Sequence, residues 1–407
     1  MQEHALETIN PKVLGRRLQD ARKARGLTQQ DVARDLGIAR TTVTAIEQGE
    51  RHVRPEELIQ LSRLYGRGVN ELVRDREVAE ELAIQFRAAI AHAGRHQTEL
   101  TRATQEFQQL CEDYLELEQL CGAPLTRNYP LQYPLEGISP EEAAEDIASA
   151  ERNRLGLGDG LILRLREILE SDIGLRIFYP KLPSHIAGMF AYTERFGGCI
   201  AINAVHPEER QRWSLGHEYS HFLTNRFRPE ISVMFVYERV STSERFADAF
   251  AGAFLMPSNG LKRRFHEVSR LRQGKITPAE LCRLAHYYFV SVEALTRRLE
   301  SLHLLPSGTW DRLRDSGFKV REAQTILGLE PHPRAHHLLP LRYQYLAVEA
   351  FQRGDLTEGQ LSRFLRIDRV EARRLVQALT NYHEVSESGK IANVSVNLAH
   401  NISGNRE

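Results

Sequence analysis

The pentapeptide His217-Glu218-Tyr219-Ser220-His221 constrains this chain more than any other stretch. Two histidines four residues apart cooperate best on a helix, where they stand about one turn apart on one face. Both imidazoles can then reach a single zinc ion (Zn²⁺) at about 2.0–2.1 Å. Glu218 falls beside the pair, where a carboxylate can hold a metal-polarised water as general base. With 16 histidines in 407 residues, a random chain shows His-Glu-x-x-His only about 0.04 times. On the pattern alone, a helix whose histidines merely pack and whose glutamate is solvated stays open. Two histidines also leave the site incomplete, because catalytic zinc takes three protein ligands and keeps one position open.

The third donor has to come from another segment. Downstream, Ser243-Glu244-Arg245-Phe246-Ala247-Asp248-Ala249-Phe250-Ala251 reads as a second helix, with Phe246, Ala247, Phe250 and Phe254 inward and Met256-Pro257 at its end. Glu244 and Asp248 share one face at i and i+4. Glu244 could bind the ion while Asp248 accepts the outer ring N–H of a ligand histidine and fixes its tautomer. Ser241 stands three residues before Glu244, however, so Glu244 also fits a capping box, and the helix dipole favours Asp248 near a helix start without any metal. Spacing leaves both readings standing.

The combination of His217-Glu218-x-x-His221 with Glu244-x-x-Ala247-Asp248-x-Phe250-Ala251-x-x-Phe254-Leu255-Met256-Pro257 resembles the ImmA/IrrE family of zinc metallo-endopeptidases, over about residues 140–305. That resemblance implies zinc ligation by His217, His221 and Glu244, with Glu218 as the base. It also implies a protein substrate, since family members cut Xre-type repressors.

Residues 13–73 read as a separate helical unit. Leu14, Leu18 and Ala21 mark a first helix. Thr28 caps a second over Gln29 to Leu36, a third runs from about Arg40 to Gln48 with Val43 and Ile46 inward, and Pro55 opens a fourth around Leu58, Leu61 and Leu64. Gly37 and Gly49 supply the left-handed residues that close the second and third. Two helices joined by a short glycine turn form the helix-turn-helix pattern, whose second helix lies in the major groove. The strings Gly26-Leu27-Thr28-Gln29-Gln30-Asp31-Val32-Ala33 and Val43-Thr44-Ala45-Ile46-Glu47-Gln48-Gly49 resemble the Xre/Cro-type domain of phage repressors. By position, the resemblance implies a phosphate contact for Gln29 and base-facing places for Arg40, Thr41 and Ala45. Arg40 can pair bidentately with guanine, for about 1–3 kcal/mol of discrimination. The alternative is a helical unit that packs or dimerises without touching DNA.

Charge supports a local, not a global, polyanion site. The chain holds 54 Lys+Arg against 54 Asp+Glu, which excludes a basic coat, whereas residues 11–75 hold 13 basic and 9 acidic residues, 13 − 9 = +4. Four cysteines without a Cys-x-x-Cys pair fit a reducing compartment. No signal peptide and no apolar run of membrane-spanning length is read, so the expected location is cytoplasmic, with no membrane partner.

The remaining organisation follows from helix and turn signals. Residues 76–135 read as a helical connector whose Phe107, Leu110, Tyr114, Leu117 and Cys121 form a two-heptad seam, too short for a stand-alone stalk, and packing on neighbours is preferred over dimerisation. The turn-rich stretch from Gly122 to Pro140 separates it from the next unit. Three short strands, Leu175 to Tyr179, Ile186 to Tyr192 and Cys199 to Ala204, precede the histidine helix. Residues 306–382 read as a helical C-terminal region, where Thr357/Gln360 and Asp368/Glu371 are capping boxes and Arg363, Arg366, Arg369, Arg373 and Arg374 form a solvated basic face. His332, His336 and His337 read as loop residues and 383–407 as an aperiodic tail.

The expected fold class is mainly α with a small β-sheet (α+β). The expected function is a DNA-binding regulator carrying a zinc endopeptidase, with an operator duplex and a protein substrate, an Xre-type repressor or the chain itself, as partners. A homodimer is compatible with two half-sites. The competing reading is a regulator whose zinc domain is a non-catalytic sensor. An oxyanion donor is sought between Pro229 and Ser243, at Tyr237.

Overall fold

A computed structural model describes residues 11–65, 69, 72, 86, 96–135, 137–227, 230–233, 241–330, 332, 338–385 and 391–395. The chain divides into two compact units, residues 1–81 and 82–407. Both are built from helices, and a small mixed sheet lies in the second, so the fold is mainly α with a small β component.

The first unit contains α1 (Pro11–Ala24), α2 (Gln29–Leu36), α3 (Arg40–Gln48) and α4 (Pro55–Tyr65). The start of α2 is held by a reciprocal capping box, in which Thr28 accepts from the Asp31 backbone and Asp31 accepts from the Thr28 backbone. Leu14, Leu18, Val32, Ala33, Val43, Ile46, Leu58 and Leu61 are buried together. Helix α1 lies directly on the C-terminal end of α3. A methyl group on Gly15 would stand 2.3 Å from the Ile46 carbonyl oxygen, so this contact admits only glycine.

The second unit begins with α5 (Gln97–Cys121). Its seam residues Phe107, Leu110, Tyr114 and Leu117 are buried. The Phe107 and Tyr114 rings sit 6.3 and 6.2 Å from Phe178, so the apolar stripe is covered by the chain's own sheet. Residues 123–135 run as a strap over the same unit: Arg127 donates to the carbonyls of Glu194 and Arg195, both at 2.6 Å, and the Tyr133 amide to that of Leu223 at 3.0 Å.

Next come α6 (Pro140–Arg154), capped by Ser139, and α7 (Leu165–Ile168), which continues into a π-helical turn at Leu169–Ile173. Strands β1 (Arg176–Phe178), β2 (Ile186–Thr193), β3 (Gly197–Ile202) and β4 (Glu230–Val233) form one sheet in the order β1-β3-β2-β4. β1 is parallel to β3, and β2 is antiparallel to β3 and β4. Between β3 and β4 lies α8 (Glu208–Thr224). After β4 come α9 (Thr242–Leu255), α10 (Ser258–Leu271), α11 (Pro278–Tyr288), α12 (Val292–Ser301), α13 (Thr309–Asp315) and α14 (Val320–Ile326). The unit ends with α15 (Leu341–Gln352), α16 (Glu358–Leu365), α17 (Arg369–Thr380) and a hairpin of β5 (Asn381–Val385) and β6 (Ile391–Ser395).

Two elements differ from the sequence expectation. The tail beginning at His383 was expected to be aperiodic, yet β5 pairs antiparallel with β6 in register Asn381 to Ser395. Strand β4 was not expected; with four residues on a sheet edge it carries too short a pattern to read. The Thr357/Gln360 capping box is present, and Asp368 accepts from the Glu371 backbone at 2.8 Å. His332 stacks on the His286 ring, 4.2 Å centre to centre, and donates through Nε2 to the His286 carbonyl at 3.0 Å. Residues 76–85 and 87–95 of the connector, Tyr237, His336, His337 and 396–407 lie outside the described residues. Among the described residues no helix is long and apolar enough to cross a membrane.

Candidate metal centre and DNA-reading surface

Helix α8 is buried nearly all round although most of its residues are polar, with Gln211, Arg212, Ser214, His217, Glu218, Ser220 and His221 all out of solvent, so its polar groups must be met inside the unit. Leu215, Phe222 and Leu223 face the core. Tyr219, which stands between the two histidines in sequence, points away from them and donates to Glu151 of α6. Glu151 is wholly buried and also accepts from Tyr133 at 2.9 Å and from Arg154 at 2.7 Å. This polar knot locks the rotation of α8, so His217, Glu218 and His221 have one direction to face.

Helix α9 approaches α8 across small residues. A methyl on Gly216 would meet Ala251 at 3.5 Å, and Trp213 lies over Gly252. Ser241 caps α9 by accepting from the Glu244 amide at 3.2 Å, but the Glu244 side chain turns toward the histidines. Its Oε2 is 3.4 Å from His217 Nε2 and its Oε1 is 3.6 Å from His221 Nε2. One donor atom from each of the three residues lies within 4.8 Å of the others. Donors at about 2.0–2.2 Å around one tetrahedral zinc stand about 3.3–3.5 Å apart. The separations of Glu244 from the two imidazoles therefore fit such an ion closely.

The electrostatics agree with that fit. His217 donates through Nδ1 to Asp248 Oδ1 at 3.0 Å, which leaves Nε2 toward Glu244. Burial opposes a charge on His217, but hydrogen bonds with Asp248 and Glu244 and the Glu218 charge outweigh it and push the imidazole up to about 10. Burial would likewise raise the Glu244 and Asp248 carboxyls, and their bonds to His217 hold both below the usual carboxylate range. Three carboxylates around two imidazoles make a pocket that favours a cation.

Glu218 is fully buried and rests against β2. A methyl on Gly188 would stand 2.5 Å from Glu218 Oε1 and 2.9 Å from its Cγ, so the glutamate occupies the space a side chain there would fill. The β2–β4 pairing shifts register between Ile186 and Gly188, which bends the strand beside the carboxylate. Reading the sequence for ligands alone misses Gly188. Its signal was a lone glycine in the bulky run Ile186 to Tyr192, which marks close approach of another group.

In the first unit, Arg40 and Thr41 are exposed on α3 and Ala45 is half-buried. Gln29 bridges the two helices of the motif, accepting from Thr44 at 3.2 Å and donating to Glu47 Oε2 at 2.9 Å. Glu47, 6% exposed, also accepts from Arg22 Nε at 2.6 Å and Nη2 at 3.0 Å. That cluster ties α3 to α1 and α2 and sets the attitude of its exposed face.

Comparison with known proteins places both units. No curated protein matches the chain. Among solved structures it is similar to the crystal structure of ComR from Streptococcus suis, at 12% identity over 90% of this chain and 87% of that one, with a TM-score of 0.15, too low to carry any inference. Two family models match: the helix-turn-helix model over residues 18–72 and the M78 peptidase model, described as the IrrE N-terminal-like domain, over residues 170–300. The second match contains α8, α9 and the strand that carries Gly188. The chain is therefore a helix-turn-helix domain fused to a domain of the ImmA/IrrE type.

Proposed function

We propose that this protein is a cytoplasmic transcriptional regulator that binds an operator through residues 13–73 and hydrolyses a regulatory protein with a zinc endopeptidase site in residues 140–305. One observation carries the hydrolytic half: a carboxylate of α9 meets both imidazoles of α8 at 3.4 and 3.6 Å, with a buried glutamate beside them. His217, His221 and Glu244 hold the zinc, which when bound supplies Lewis-acid polarisation and a water of lowered pKa. Asp248 keeps the proton of His217 on Nδ1 and so keeps Nε2 available as a ligand. Glu218 takes a proton from the attacking water and returns it to the departing amine, and Gly188 fixes where that carboxylate stands. The four described cysteines are free thiols, in keeping with a reducing compartment.

On the DNA side, Arg40 and Thr41 face bases and Ala45 offers a methyl contact, while Gln29 reaches phosphate from the start of α2. The substrate is an Xre-type repressor or this chain's own connector. The test is co-expression with such a repressor. Glu218→Gln should keep zinc and operator binding and abolish cleavage, and His217→Ala should lower the metal content by one ion per chain. If wild type and Glu218→Gln behave alike in every assay, the domain is a zinc sensor and not a peptidase. Operator affinity should fall steeply with salt as phosphate contacts release counterions.

A further inference from the structure

A second group of metal-ligand residues lies away from the site just described. His96, at the residue preceding α5, Glu99 in its first turn, and His185, immediately before β2, bring one donor atom each to within 4.8 Å of one another. His96 Nδ1 is 3.3 Å and His185 Nδ1 is 3.8 Å from the same oxygen, Oε2 of Glu99. The two imidazole rings stand 4.1 Å apart, centre to centre. None of these residues belongs to the α8–α9 donor set, and none was singled out by the sequence pattern, because 96 and 185 are 89 positions apart.

We propose that His96, Glu99 and His185 form a second divalent transition-metal site that clips the start of α5 to the start of β2. The donor chemistry selects the ion: two imidazoles and one carboxylate suit zinc, cobalt, nickel or copper, whereas magnesium and calcium require oxygen donors. The geometry is close to that of a bound ion. Donors about 2.0–2.2 Å from a tetrahedral centre stand about 3.3–3.5 Å apart, so the His96–Glu99 separation already fits and His185 closes by a few tenths of an ångström. His96 and His185 are largely buried while the Glu99 side chain is 56% exposed, so the fourth position opens to water. A histidine and a glutamate three apart at a helix start share one face, which makes a two-point anchor on α5 to which the loop before β2 adds the third.

The consequence lies in what the clip joins. α5 is the helix whose buried seam covers Phe178, and His185 stands three residues before Gly188, the residue against which Glu218 rests. An ion here fixes the entry of the strand that positions the proposed general base, so metal availability would act on the peptidase domain from outside its centre.

The inference is independent of the first centre, and the test separates the two. Full-length protein is stripped with chelator, and Co²⁺ is titrated into wild type, His217→Ala, Glu99→Gln and the double variant His217→Ala/Glu99→Gln, reading visible absorption and bound metal per chain. The expected result is one ion retained by His217→Ala with histidine–carboxylate absorption and at least a tenfold loss of affinity for that ion in the double variant, while Glu99→Gln alone keeps the ion lost in His217→Ala. Glu99 is exposed on a helix surface, so its replacement leaves folding intact; His185→Ala is the second probe and should weaken the same ion. The proposal is overturned if His217→Ala binds no cobalt, or if the double variant binds it as tightly as His217→Ala. Were the first centre no metal site at all, wild type would bind one ion that His217→Ala keeps and Glu99→Gln loses.

Discussion

Replacing Glu47 with alanine should release the recognition helix from the rest of its domain. The Glu47 carboxylate accepts two bonds from Arg22, at 2.6 and 3.0 Å, and one from Gln29 at 2.9 Å. Arg22 is itself 8% exposed and, among the described residues, keeps a hydrogen bond to the Leu27 carbonyl, at 2.8 Å, once Glu47 is gone. Removing one partner of a buried ion pair strands the other charge and costs about 3–5 kcal/mol. A unit of about 60 residues is stable by roughly 3–9 kcal/mol, so the loss consumes much or all of its margin. At about 4–8 °C per kcal/mol for a domain of this size, its melting transition should fall by at least about 12 °C. Calorimetry of the full chain reads both units, whereas tryptophan fluorescence reads only the second, because Trp213 and Trp310 both lie beyond residue 81. The expected outcome is a lowered calorimetric transition, unchanged tryptophan melting and lost operator binding at temperatures where the domain has unfolded. Arg22→Met combined with Glu47→Leu should recover most of the loss, since an apolar pair leaves no stranded charge. A shift under about 4 °C for Glu47→Ala would refute the reasoning, for the pair would then be worth no more than a surface one.

Three further outcomes are expected. Burial would raise the Glu47 carboxyl, but bonds from Arg22 and Gln29 and the Arg22 charge hold it below its ordinary 4.5; this contribution is therefore complete above pH 4.5 and fades as pH falls through the lowered value, and acid titration of Glu47→Gln should show a flatter stability curve there than wild type. Gly188→Ala places a methyl 2.5 Å from Glu218 Oε1, where ordinary contact begins at 3.4 Å, so the carboxylate must move by 3.4 − 2.5 = 0.9 Å; cleavage should drop about 100-fold with metal content unchanged, and a rate within about fivefold of wild type would show that the strand does not position the base. Glu151→Ala leaves two tyrosine hydroxyls and Arg154 without their shared acceptor between α6 and α8; a cost of about 3 kcal/mol should lower the tryptophan-detected melting of a unit this long by about 4 °C, and no shift would mean that the knot does not hold α8.

Much of the first unit was legible because its determinants are local. Thr28, Gly37, Gly49 and Pro55 each act within a turn of their own position, so the bounds of α2 and α3 could be read to the residue. The sheet was legible only in its three apolar strands. β4 and the terminal hairpin are short, and their pairing depends on partners the pattern does not name. The role of Gln29 shows the same limit: its place at the start of α2 suggests phosphate, while its tie to Glu47 and Thr44 appears only when α2 and α3 are brought together.

For the candidate site, periodicity alone determined that His217 and His221 share one helix face, with Glu218 beside them, and that Glu244 and Asp248 share a face of another helix, because residues three or four apart on a helix are neighbours whatever surrounds them. Whether Glu244 closes its own helix or reaches the histidines was a question of where α9 lies, and that is decided by Gly216 against Ala251, by the Glu151 knot that sets the rotation of α8, and by the glycine in β2 that makes room for Glu218. Such contacts join residues tens of positions apart, and their energies come from close packing and buried hydrogen bonds, which no local pattern encodes.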